Sequence, residues 1–138
     1  MDDVVYNKVA TIVRCQQRVA EDYGGDPARL RTDQTRQDAL LLNLQRACEA
    51  AIDLAMHIVR LEHLGIPQES RAAFTLLERA GLLDAALAEG LRRMVGFRNL
   101  AVHAYQDLDL AIVEAIIERH LAESIGAFAA LALARWGD

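Results

Sequence analysis

Cysteine is scarce in this chain. Cys15 and Cys48 stand far apart, with neither the paired spacing of a metal site nor the density of a disulfide scaffold. Both read as buried free thiols in a reducing compartment. Helix breakers are scarce too, at two prolines and eight glycines in 138 residues. Lysine is nearly absent, since fourteen of the fifteen basic residues are arginine. The chain opens M-D-D-V-V-Y-N-K, without a basic region leading into an apolar run, so no secretory signal is expected. The longest strictly apolar runs are too short to span a bilayer. These absences point to a cytoplasmic protein with no membrane segment. Strand-type alternation, internal repeats and low-complexity tracts are missing as well. A net charge of −5 weighs against a broad, nonspecific nucleic-acid binder, which would usually be basic.

What is present is helical periodicity. Hydrophobic residues make up 53% of the chain, enough for one sizeable core, and the length suits a single domain over residues 1–138. Val5, Val9, Ile12 and Val19 share one face of a first helix that ends at Tyr23-Gly24-Gly25-Asp26-Pro27. A polar linker follows, and Thr32 or Asp33 is placed to cap the longest helix, about 33 to 64. Its seam is Leu40, Leu44, Ala47, Ala51, Leu54, Ile58 and Leu61, widened by Leu41, Cys48, Ile52, Ala55 and Val59. So broad an apolar face requires more than one neighbouring helix. Gly65 is the expected left-handed stop. A short helix after Ser70 turns Phe74 and Leu77 inward and closes at Gly81. The next runs from about Asp84 to about Tyr105, weakened at Gly90 and Gly96 by roughly 1 kcal/mol each relative to Ala. After Asp107-Leu108-Asp109, a last helix runs to about Arg135, with Val113, Ile117, Leu121, Ile125, Phe128 and Ala132 inward. The expected fold is all-α: an antiparallel helical bundle of four main helices plus one short one.

One stretch departs from this apolar background. Residues 98 to 105 read R-N-L-A-V-H-A-Y. They fall in a window, Gly90 to Gln106, that has no acidic residue but contains Arg92, Arg93 and Arg98. On a helical wheel with Arg98 at zero, Tyr105 falls near −20°, Asn99 near 100° and His103 near 140°. Met94, Phe97, Leu100, Ala101 and Ala104 occupy the opposite, packing face. Arg98 and Tyr105 then share one line, and Asn99 and His103 share another. On a straight helix Arg98 and His103 do not easily grip the same atom. Either the helix distorts near its end, or a second copy of the chain across a twofold axis brings two Arg-His sets together; the second is favoured, so a homodimer is expected.

The residue types suit phosphodiester chemistry. An arginine fork holds phosphate oxygens. A histidine gives or takes a proton near neutral pH. Asn99 can orient the scissile group, and Tyr105 can stack on a base or donate a hydrogen bond. No acidic cluster for a metal ion lies near the motif, and no Glu-x-x-His of the di-iron bundle type occurs. No cofactor and no metal are therefore expected, and the fitting reaction is RNA cleavage by the ribose 2′-OH. Arg98, His103 and Asn99 are the candidate catalytic residues; Tyr105, Arg92, Arg93 and Asp53 are candidate RNA-binding or supporting residues. Asp53 could pair with Arg98, orient His103, or simply pair with His57 on a solvated face; a metal site from Asp53, His57 and His63 is disfavoured because His63 lies off that face. The rival reading is a non-catalytic helical binding module that pairs with a nucleotidyltransferase or binds nucleotide or RNA.

The motif resembles that of the HEPN superfamily, an Arg, four to six residues, then His. The extended form R-N-x-x-x-H-x-Y, with N-L-Q-R-A-C-E-A-A-I-D-L-A at 43 to 55 and G-F-R-N-L-A-V-H at 96 to 103, resembles the HepT-like (DUF86) branch. That resemblance implies a homodimeric, metal-independent RNase toxin of a type VII-like toxin–antitoxin system. Its implied partner is an MNT-type nucleotidyltransferase antitoxin that transfers AMP to the motif tyrosine, Tyr105. An adenylyl group there would add bulk and negative charge beside Arg98.

Overall fold

The computed structural model describes residues 1–138, and every regular element in it is helical. The helices are α1 (Asp3–Tyr23), α2 (Pro27–Arg31), α3 (Gln34–Leu61), α4 (Ser70–Arg79) and α5 (Ala85–His103). A 3₁₀ turn (Tyr105–Asp107) precedes one long final helix. This helix comprises α6 (Leu110–Ala115), a π-helical stretch (Ile116–Gly126) and α7 (Ala127–Trp136). No helix is long and apolar enough to cross a membrane.

The helix starts follow capping chemistry. Asp2, Asp33, Asp84 and Asp109 each accept a hydrogen bond from a first-turn backbone N–H, to Val5, Arg36, Leu87 and Ala111 respectively. Asp33, rather than Thr32, therefore caps α3. The expected linker holds an extra short helix, α2, with Asp26 as cap and Pro27 in the first turn.

The main helices are antiparallel, as their cross-links require. Lys8 meets Asp53 and Asp2 meets His57, so α1 runs against α3. Cys48 meets the Met94 carbonyl while Asp38 meets Tyr105, so α3 runs against α5. The Asp2 N–H donates to the Gly137 carbonyl, so the final helix runs against α1. Contacts of α1 with α3, α3 with α5, α5 with the π-helical stretch and α7 with α1 close a four-helix ring. The short α4 packs against α3 and α5, and Phe74 meets Phe128 edge to face at 5.7 Å. The α3 seam is buried from Leu40 to Ile58.

Four expectations need correction. Leu61 is exposed, although Ile58 and Val59 in the same turn are fully buried. The left-handed residue that ends α3 is His63 (φ 54°), not Gly65. The Leu64 N–H bonds the Val59 carbonyl and the His63 N–H bonds the Arg60 carbonyl, which is a Schellman closure with His63 at C′. Helix α5 ends at His103 rather than Tyr105, where Ala104 leaves the helical region (φ −143°, ψ 49°). In the final helix Ile116 is buried and Ile117 only half-buried, since the wider π winding shifts the register. Cys15 and Cys48 are both free and buried, and burial pushes the Cys48 thiol up to about 12.

Candidate functional site

Arg98 is built into the bundle rather than displayed on it. From the middle of α5 its side chain crosses to α3 and α4. Its Nη1 donates to Glu49 Oε1 at 2.6 Å, and its Nη2 donates to Ser70 Oγ at 3.1 Å. Ser70, at the start of α4, does not cap its own helix; its hydroxyl serves the arginine. The Arg98 side chain is 19% exposed, and its Nε is buried without a hydrogen-bond partner. A buried donor left open in a native fold calls for an explanation, and a ligand at this guanidinium supplies one.

His103 occupies the last turn of α5 and is exposed; Asn99, one turn earlier, is half-buried. No hydrogen bond joins His103 to Arg98. One protomer therefore presents the imidazole and the guanidinium separately, as their angular offset on the helix predicts. Around His103 the packing face is narrower than expected. Leu100, expected on the packing face, is 41% exposed; Val102, on the polar face by its angle, is 46% exposed, so two apolar side chains flank the histidine.

Tyr105 is carried away from Arg98 by the end of the helix. From the 3₁₀ turn its hydroxyl donates to Asp38 Oδ1 at 2.6 Å, at the start of α3. Asp38 and Glu49 lie eleven residues apart on α3, a rise of roughly 16 Å. Tyr105 and Arg98 thus do not stack along one line. Burial, followed by the Asp38 carboxylate, pushes the Tyr105 phenol up to about 12. Its hydrogen bond in turn holds Asp38 below the usual carboxylate range, with help from Gln34.

The arginine-rich window is basic in sequence but not in space. Arg92 is held by Glu78 at 2.8 Å and Glu89 at 3.1 Å. Arg93 is largely exposed, with Glu89 at 3.4 Å, and lines a separate groove between α5 and the final helix with Phe97, Ile112 and His120. Arg98 has Glu49. All three find carboxylates, and neither Arg92 nor Arg93 meets Arg98. Asp53 does not reach Arg98, His103 or His57; it binds Lys8 Nζ at 3.0 Å, while His57 pairs with Asp2 at 2.8 Å.

Sequence reasoning missed Glu49, Ser70 and Asp38, the groups that fix Arg98 and Tyr105. A faint signal existed for Glu49, a lone carboxylate beside Cys48 on the broad apolar seam. Nothing in the chain's spacing marked Ser70 or Asp38.

With the geometry in hand, comparison with known proteins gives the family. The ribonuclease HepT-like family matches residues 12–129. A Shewanella oneidensis protein named as the mRNA nuclease HepT is 50% identical over 121 residues, which cover 88% of this chain and 90% of that protein. An Archaeoglobus fulgidus protein named as a putative RNase is 29% identical over 92 residues, 67% of this chain and 68% of that one. Among solved structures, a tri-AMPylated Shewanella oneidensis HEPN toxin in complex with MNT antitoxin is 47% identical with a TM-score of 0.91, covering 98% of this chain and 100% of that chain. A toxin–antitoxin complex with AMP-PNP is 46% identical with a TM-score of 0.89, covering 95% of this chain and 98% of that chain. The sequence motif, the four-helix ring and these matches agree: the chain belongs to the ribonuclease HepT-like family.

Proposed function

We infer that this chain is the RNase toxin of a HEPN/MNT toxin–antitoxin pair, cutting RNA without a metal and silenced by a nucleotidyltransferase antitoxin that AMPylates Tyr105. The observation that carries the reading is the guanidinium of Arg98, anchored by Glu49 and Ser70 with its buried Nε unpartnered, on the same helix as an exposed His103.

In the reaction the ribose 2′-oxygen bonds to the adjacent phosphorus, and the bond to the 5′-oxygen breaks. A histidine takes the 2′-hydroxyl proton, and a proton passes to the departing 5′-oxygen, leaving a 2′,3′-cyclic phosphate. Arg98 stabilises the charge that builds on the phosphoryl oxygens. Two protomers related by a twofold axis would bring the imidazole of one to the guanidinium of the other around a single scissile linkage. The exposed Leu100 and Val102 beside His103 support burial of this surface against a second chain. Absence of a membrane-crossing helix agrees with action in the cytoplasm, where RNA is found.

Tyr105 suits the role of AMP acceptor because it is exposed, at the end of a helix, with its hydroxyl oriented by Asp38. In the transfer the phenolic oxygen bonds to the α-phosphorus of ATP, pyrophosphate leaves, and the phenol gives up its proton. Asp38 is the nearest acceptor for it. The adenylyl group places bulk and negative charge over the end of α5, against entry of another phosphate.

The test is cleavage of RNA by the purified, unmodified protein in EDTA. The wild type should cut and leave 2′,3′-cyclic phosphate ends. Loss of a proton-transfer group costs roughly 10²–10⁴-fold, and His103→Ala should show it; Arg98→Ala should lose about 10²–10³-fold. Equal cutting by wild type and His103→Ala would refute the assignment. AMP mass added on co-expression with the antitoxin should disappear in Tyr105→Phe.

A further inference from the structure

Arg14, Arg18 and Arg46 have no anionic partner and come together in space. Arg14 and Arg18 stand one turn apart on α1, and Arg46 comes from α3. All three are exposed, and no ion pair or hydrogen bond engages them. They line a groove of about 450 Å³ between the two helices. Two carboxylates also line it, but both are taken: Asp53 by Lys8 and Glu49 by Arg98. The groove therefore presents three uncompensated guanidiniums in a chain whose net charge is −5. Arg14 and Arg46 both act on the Cys15 thiol in the groove wall, opposing the larger upward push of its burial, so α1 and α3 bring their charges to one place.

The lining also says what the groove reads. Its apolar members are Cys15 and Ala50, and none is aromatic. A base finds nothing to stack on, whereas phosphate and sugar find guanidiniums, the Asn43 amide and the Thr11 hydroxyl. The groove adjoins the proposed reaction centre at Glu49, which lines it while accepting from Arg98 Nη1 at 2.6 Å. A strand whose scissile phosphate lies at Arg98 has its neighbouring phosphates carried along this path.

We propose that the α1–α3 groove binds the phosphodiester backbone of the RNA strand beyond the scissile linkage, through Arg14, Arg18 and Arg46 and without base preference. The proposal deepens the nuclease reading and rests on it for the identity of the strand. A free nucleotide fits poorly, for want of a stacking platform.

The experiment measures binding of a single-stranded RNA oligonucleotide by anisotropy across a salt series, in a His103→Ala background that prevents cutting. At about 0.7 of salt slope per phosphate contact on a single strand, Arg14→Gln/Arg18→Gln/Arg46→Gln should flatten the log–log slope by about 2. Each single substitution should remove about 0.7, which keeps the test sound if the triple variant folds poorly. An unchanged slope overturns the proposal. So does dissociation into monomers with the slope intact, which would make the groove a contact between copies of this chain. Loss of antitoxin binding alone, again with the slope intact, overturns it as well. If the wild type fails to cut RNA yet the slope flattens as stated, the groove stands as a backbone site and the nuclease reading falls. If the wild type cuts and the slope holds, the groove alone falls.

Discussion

Arg98 makes two hydrogen bonds of different strength, and each has a separate effect. The bond to Glu49 is charge-assisted and short; the bond to Ser70 is neutral on one side and longer. Glu49 thus fixes where the guanidinium sits, while its own charge opposes an incoming phosphate. Glu49→Gln should split the kinetics: KM for RNA falls as the repulsion is removed, and kcat falls as Arg98 loses its anchor. Because Glu49 is 43% exposed, the stability cost should stay near 1 kcal/mol, read by denaturant unfolding. A rise in KM would contradict this role. Tyr105 gives a second expectation at this scale. Its phenol is pushed from 10.0 to about 12 by burial and by Asp38, so the fold favours the neutral form. That contribution is fully present below pH 10 and is lost as pH rises through about 12. In an ultraviolet titration Tyr105 should therefore ionise only around pH 12, together with the buried Tyr23, and Tyr105→Phe should reduce that step by one phenol. A Tyr105 step near pH 10 would mean that the Asp38 bond does not hold in solution.

At the scale of elements, helix ends decide what the site can reach. Helix α5 stops at His103, and this stop turns Tyr105 towards Asp38 instead of Arg98. Helix α3 stops through a Schellman closure whose left-handed position holds His63, an exposed residue with φ 54°. A non-glycine residue there costs roughly 1–2 kcal/mol of backbone strain. His63→Gly should therefore raise stability by about 1 kcal/mol, after the extra entropy glycine loses on folding, seen as a higher Tm. A lower Tm would show that His63 makes a stabilising contact. The seam of α3 was legible in sequence, because burial follows the 3.6-residue period over many turns. The two stops were not, since Ala104 carries no turn chemistry and Gly65 is a better left-handed residue by composition than His63.

Over the whole molecule, charge is arranged by pairing between helices, and pairing is what one sequence hides. Arg92, Arg93 and Arg98 look like a basic patch along the chain, yet Glu78, Glu89 and Glu49 neutralise them. Arg14, Arg18 and Arg46 look like isolated solvated residues, yet the α1–α3 packing gathers them without counterions. The fold class followed from periodicity and the proposed reactive pair from its motif; the electrostatic surface needed the packing. The protomer exposes 7345 Å², close to the roughly 7,100 Å² expected of a compact monomer of this mass. It buries its core unaided, so the proposed pairing with a second copy would serve the site rather than the fold. The most direct measurement of that claim mixes two inactive proteins, Arg98→Ala and His103→Ala, allows subunits to exchange, and assays RNA cleavage in EDTA. A site shared between protomers predicts that activity returns in the mixture, because the mixed dimer brings one intact Arg98 to one intact His103. A mixture as inactive as its two components would contradict the account.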